Sequence, residues 1–245
     1  MKNIEQIIKE YGITKDKREY ILGQLFKLSE KYKLVFSDKV KELRERVELL
    51  KDPRESPMFI GEGSTTATYK LGVGALKYAV VLYGLHTITE ENFNNELIIF
   101  YKKIIANIIA NNVKNIPSVL AYSIKDKAIV MELALGEVVS KRIKRNIFDY
   151  SKRELLGLIK IISKLNEVGL CIDPYPENFF FDHKTGNFRI IDLCLIKKGE
   201  RGSANDIKYI PEILANKDKD QKNIRDKIKN IVEKTISKSV TDVPF

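Results

Sequence analysis

The sequence predicts an α+β fold, and three observations predict it. Apolar residues recur at helical spacing from Ile4 to Leu50; short β-type runs fill 59–133 around one helical stretch; helical spacing dominates again in the second half. At 245 residues, with 44% apolar and 31% charged, the chain has a globular composition and the length to bury a core.

The first segment reads as a helical extension over residues 1–50. Ile4, Ile7 and Ile8, then Ile21, Leu22, Leu25 and Leu28, then Val40, Leu43, Val47 and Leu50 mark three helices. Breaks are expected near Gly12–Thr14 and Phe36–Asp38, with Thr14 and Ser37 as N-caps. Residues 51–58 (KDPRESPM), with two prolines and no periodicity, form the linker. Strands follow at Phe59–Gly61, Thr66–Leu71 and Ala75–Tyr83, the last two closed as a hairpin across Gly72 to Gly74. A helix is expected over Glu90–Asn111, opened by Thr89, with Glu90 and Glu91 where the helix dipole favours negative charge. Pro117 introduces two more strands, Val119–Ile124 and Ala128–Leu133, turning at Lys125–Lys127. The pattern is five strands with one helix inserted after the third.

Beyond these, helices are expected over Val138–Arg145 and Ser151–Val168, the latter opened by a capping box of Ser151 and Glu154. Asp173–Asn178 is irregular; short strands Phe179–Asp182 and Phe188–Asp192 flank a turn at Lys184–Asn187; from Ile210 the chain is charged and helical.

The 43 basic and 33 acidic residues give a net charge of +10, enriched at Lys141–Arg145, Lys197–Arg201 and Lys217–Lys229. Such a surface is either simply solvated or meets an acidic protein partner. Nucleic acid fits less well, because no aromatic residues interleave the basic runs. Cys171 and Cys194 make neither a disulfide framework nor a zinc pattern, which points to a reducing compartment and to buried packing, with a redox switch as the alternative. The opening MKNIEQIIKEYG holds no uninterrupted apolar run, so neither a secretory signal nor a membrane span is expected and the location is cytoplasmic. Non-classical export to a host cell would leave no mark on this pattern. His86 and His183, in turns with nothing to partner them as metal ligands, read as surface residues.

Three stretches carry chemistry. Gly61-x-Gly63-Ser64-x-Thr66 lies where one strand turns into another, so it is neither a Walker loop nor a dinucleotide fingerprint, both of which lead into a helix. It reads as a phosphate-covering hairpin or as plain turn punctuation. Lys77 interrupts the apolar run VGALKYAVVLY, which suits a buried strand, where a lysine needs an anion: the carboxylate of Glu96 on the next helix, or nucleotide phosphates. The alternative is a strand-edge lysine and an exposed glutamate. In GLCIDPYPENFFFDHKTGNFRIIDL, Asp173, then Asn178 five residues on, then Asp192 each sit beside an apolar run that fixes their position. Two carboxylates and an amide oxygen suit Mg²⁺ shared with phosphates, leaving one carboxylate to orient a hydroxyl.

In this order the motifs resemble those of protein kinases and their relatives, over about residues 58–210. The resemblance implies a two-lobed fold behind the helical extension: an N-lobe at 59–134 with a five-stranded sheet and one helix, and a truncated, mostly helical C-lobe at 135–245. It implies a phosphate-covering loop at Gly61, Gly63 and Ser64, and Lys77 ion-paired with Glu96. The catalytic aspartate would be Asp173, and the magnesium ligands Asn178 and Asp192. A hinge at Met131, Glu132, Leu133 and Ala134 would hold adenine. The implied activity is transfer of the γ-phosphate of ATP, with Mg²⁺, to a protein Ser or Thr, as in small bacterial effector kinases. A small-molecule kinase of the same fold and a pseudokinase acting as a nucleotide-gated binding module are the alternatives.

Departures accompany the match. Cys171 and Ile172 stand where His and Arg are usual, Leu193-Cys194 where Phe-Gly is usual, Tyr175 where a lysine is usual, and Thr66 at the third glycine. Asp206, with Ile207 and Tyr209, resembles the aspartate that opens a core C-lobe helix; otherwise Ile210-Pro211-Glu212 closes a short activation segment.

Overall fold

The helical spacing of the N-terminal segment builds α1 (Lys2–Glu10), α2 (Lys15–Lys31) and α3 (Ser37–Glu48) in the computed structural model, which describes residues 2–62, 66–83, 90–197, 205–215 and 221–241. Thr14 takes the N-cap position of α2, with extended backbone but no side-chain capping bond. The break expected at Phe36–Asp38 is instead a π-turn, Tyr32–Phe36, that joins α2 to α3. Ser37 therefore does not cap; its hydroxyl donates to the Lys33 carbonyl one turn back at 3.2 Å. Tyr32, Phe36 and Val40 are spaced by four, which drifts about 40° per step on a 3.6-residue helix. The wider turn takes up that drift and keeps all three on the buried face with Leu43 and Val47.

The strands β1 (Phe59–Glu62), β2 (Thr66–Val73), β3 (Leu76–Tyr83), β4 (Val119–Ser123) and β5 (Ala128–Glu132) form one antiparallel sheet in the order β1-β2-β3-β5-β4. Helix α4 (Glu90–Ala110) lies between the third and fourth strands in sequence. Gly74, at φ +60°, supplies the left-handed residue of the tight β2–β3 turn that pairs Val73 with Leu76. One sheet face, with Ala67, Tyr69, Leu71, Val80, Leu82, Ala121 and Val130, buries itself against Tyr32, Phe36, Val40, Leu43 and Val47. The extension therefore shares the sheet's core. Arg44 of α3 pins the β4–β5 turn by donating to the Asp126 and Lys127 carbonyls at 2.7 and 3.3 Å. On the other face, Phe100 of α4 meets Tyr122 edge-on at 5.9 Å. These elements make up one of two compact units, Met1–Ile109 with Pro117–Leu133; the other is Ala110–Ile116 with Ala134–Phe245.

In the second unit β6 (Glu137–Val138) borders the hairpin of β8 (Phe179–Asp182) and β9 (Asn187–Ile190), and β7 (Leu170–Ile172) pairs with β10 (Leu193–Leu195). The helices are α5 (Val139–Lys144), α6 (Lys152–Glu167), α7 (Asn205–Lys208), α8 (Ile210–Leu214) and α9 (Lys222–Thr241). The expected capping box of α6 forms in both directions: Ser151 N–H donates to Glu154 at 2.6 Å and Glu154 N–H donates to Ser151 Oγ at 3.3 Å. The basic run at Lys141–Arg145 is not wholly surface. Arg142 is 0% exposed, ion-paired with Asp149 and held between the rings of Tyr150 and Phe181, each 4.9 Å away. His183 likewise has partners, Arg142 and Glu137, while remaining exposed. His86 lies outside the described residues. Among the described residues no helix is long and apolar enough to cross a membrane.

Candidate functional site

The β7–β10 register pairs Leu193 with Ile172, Cys194 with Cys171 and Leu195 with Leu170. One step further along that register, Asp192 faces Asp173. The two carboxylates thus leave the same end of the ladder, from backbone positions about 5 Å apart. The loop between them is closed by hydrogen bonds. Tyr175 N–H donates to the Asp173 carbonyl and Asn178 N–H to the Tyr175 carbonyl, both at 2.9 Å, through a turn at Pro176–Asn178 whose first residue needs no donor. The Asn178 side-chain amide donates to Asp173 Oδ2 at 3.1 Å and to its carbonyl at 3.3 Å, and Ile191 N–H donates to the Asn178 carbonyl at 3.0 Å. Asp173, Asn178 and Asp192 are therefore brought together, and all three are partly exposed.

Behind the ladder, the buried carboxylate of Asp206 accepts from Ile172 N–H at 3.2 Å, which fixes the residue just before Asp173. The Cys171 thiol pKa is pushed well up, first by its interaction with Cys194 and then by burial. Among the described residues no three His, Cys, Asp or Glu side chains gather as a metal set. Two carboxylates and one amide oxygen are hard donors that fit Mg²⁺ when oxygens from elsewhere, such as phosphate, complete the shell.

In the first unit, Gly61 pairs with Thr68, and Thr68 with Val81, while Ala79 pairs with Met131. Alternation places Gly61, Thr68, Ala79, Val81 and Met131 on the sheet face opposite the one that meets Tyr32, Phe36 and α3. A Cβ on Gly61 would meet no described atom within 4 Å, and its φ is not left-handed, so the fold itself does not demand glycine there.

Lys77 does not occupy a buried strand position. It is exposed at the hairpin end of β3, paired with Gly72, and four residues, roughly 13 Å, along the strand from Val81. The strand is buried only from Val80 on, so the expectation that burial forces an anion onto Lys77 fails. Glu96 belongs to α4, but its side chain lies outside the described residues, as do Gly63 and Ser64. Of the hinge-like run, Met131 is half-buried and Glu132 is already engaged: its N–H donates to the Ser118 carbonyl and its carboxylate accepts from Ser118 N–H, each at 3.0 Å. Leu133 and Ala134 follow the last strand position, where one unit ends and the other resumes.

Sequence reasoning missed the β7–β10 ladder, because three-residue strands show no periodicity. A signal was present: Leu170-Cys171-Ile172 and Leu193-Cys194-Leu195 are near-copies flanking the two aspartates. No protein-family model matches this sequence, and no curated protein matches it.

Proposed function

We propose that this chain is an ATP- and Mg²⁺-dependent phosphotransferase of the protein-kinase-like superfamily that moves the γ-phosphate to a protein Ser or Thr hydroxyl. The observation that carries the reading is the convergence of Asp173, Asn178 and Asp192 at one ladder end, with Asp206 bonded behind it. The five-stranded sheet with a single helix between its third and fourth strands is what the resemblance leads one to expect, and adds support.

In this reading Asp173 orients the acceptor hydroxyl and takes its proton late in transfer, while the Asn178 amide bond keeps that carboxylate aimed. The Asn178 side-chain oxygen and the Asp192 carboxylate would hold Mg²⁺, which, when bound with ATP, neutralises charge on the phosphates. Asp206 is a positioning residue that acts through the Ile172 backbone. Catalysis is then placement plus electrostatics.

The test is a labelled-ATP transfer assay, with protein lysate and small hydroxylated compounds offered as separate acceptors, alongside nucleotide-binding measurements. Asp192→Ala is expected to abolish transfer and weaken Mg·ATP binding, and Asp173→Ala to abolish transfer with binding largely kept. Wild-type activity in either variant overturns the assignment. One observation favours a second reading, a nucleotide-gated binding module: Lys77 is exposed and distant from the position facing Gly61. Mg·ATP binding without transfer to any acceptor would decide for it.

A further inference from the structure

The two cysteines of the chain face each other across the β7–β10 ladder, two residues from Asp173 on one strand and two from Asp192 on the other. Directly opposed residues of an antiparallel pair project to the same face. The Ile196 N–H donates to the Gly169 carbonyl, which makes 196/169 a hydrogen-bonded pair and, by alternation, 194/171 another, with Cα atoms roughly 5.5 Å apart. That lies inside the Cα window of about 4.4–6.8 Å that a disulfide spans, and the Cβ spacing of a hydrogen-bonded pair, about 5.5 Å, has to narrow by roughly 1 Å for the bond to form. The Cys171 thiol donates to the Cys194 backbone carbonyl at 3.5 Å, which brings its sulfur to the opposite strand beside Cys194. Cys194 is exposed and Cys171 half-buried, so an oxidant in solution reaches one and the other stands behind it as the resolving thiol.

We propose that Cys171 and Cys194 form a reversible, peroxide-driven disulfide that locks the ladder beneath Asp173 and Asp192. In the first step the Cys194 thiol takes one oxygen from a hydroperoxide, giving a sulfenic acid and releasing the alcohol, or water from hydrogen peroxide. Cys171 sulfur then attacks the Cys194 sulfur; the S–S bond forms, the S–O bond breaks, and the hydroxyl leaves as water with the Cys171 proton. Two thiols are oxidised and one hydroperoxide is reduced. Exposure on the Cys194 side leaves the bond open to reduction by small thiols.

The experiment treats the whole chain with hydrogen peroxide, maps cross-links by proteolysis and mass spectrometry, and follows amide exchange. Expected are an intramolecular Cys171–Cys194 link in the monomer, reversed by a thiol reductant, and slowed exchange over 170–172 and 193–195. Cys194→Ser and Cys171→Ser should show neither, and if either variant fails to fold, the wild-type map decides alone. Oxidation that stops at sulfinic acid, or links separate chains without joining Cys171 to Cys194, overturns the proposal. A link that leaves exchange unchanged removes the lock. The consequence for catalysis, a reductant-reversible loss of transfer, rests on the phosphotransfer reading. A chain that is inactive even when reduced defeats that reading, while the cross-link map still stands or falls on its own.

Discussion

Asp206 shows how one buried side chain is tied to a site it does not enter. Its carboxylate is buried and accepts from the N–H of Ile172. Asp206→Ala orphans that N–H and is expected to cost about 1–3 kcal/mol in denaturant unfolding, while Asp206→Asn, which keeps an acceptor oxygen, should cost less. In the proposed reaction Asp206→Ala also lowers the turnover number with little change in nucleotide affinity, because the loop carrying Asp173 loosens. Gly136 is constrained differently. At φ +113°, a Cβ there would stand 2.6 Å from the Phe181 carbonyl oxygen, a backbone atom that has to move. Gly136→Ala is therefore expected to destabilise the chain by about 1–3 kcal/mol, read as a lowered denaturation midpoint. Arg142 belongs at this scale too. The sequence places it in a basic run, and only its burial among Asp149, Tyr150, Phe181 and His183 shows it to be structural.

At the scale of elements, the sheet separates two residues that the sequence reads as one phosphate site. Gly61 shares a face with Thr68, Val81 and Met131, and Lys77 stands at the far end of that face, exposed. The register predicts different outcomes for them. Gly61→Ala should leave unfolding within about 0.5 kcal/mol of wild type yet weaken Mg·ATP affinity, while Lys77→Ala should change affinity only a few-fold. Isothermal titration with Mg·ATP checks both, and an Lys77→Ala variant that loses all affinity would restore the phosphate role. Element types were largely legible, because amphipathic spacing and turn chemistry are local: the five strands, α4 and the α6 capping box stand where the residues indicate. The π-turn was not legible. Whether Tyr32–Phe36 breaks or widens depends on the sheet face that Tyr32, Phe36 and Val40 must all meet, and that surface is remote in sequence.

At the scale of the molecule, each unit has its own core. Tyr69, Val80, Leu82 and Phe36 lie at the centre of one; Leu158, Ile162, Phe179 and Phe188 are buried in the other. The net charge of +10 is a property of the whole surface. If the acceptor is an acidic protein, the KM for it should rise with salt while nucleotide binding changes less, because exposed charges are screened beyond about 8 Å at physiological ionic strength. Steady-state kinetics across a salt series checks this, and a salt-independent KM would remove the acidic partner.

The α+β class, the order of the first five strands and of the helices through α6, and the choice of Asp173, Asn178 and Asp192 as candidates could be read from the residues alone, because each is written in local periodicity or in a short motif. The three-dimensional fold was needed to see that Asp173 and Asp192 leave one end of a ladder, that Cys171 faces Cys194 on it, that Asp206 holds Ile172, and that Lys77 is exposed. Those facts depend on strand register and burial. Both are set by residues far apart in the chain meeting in one core, which no local pattern encodes.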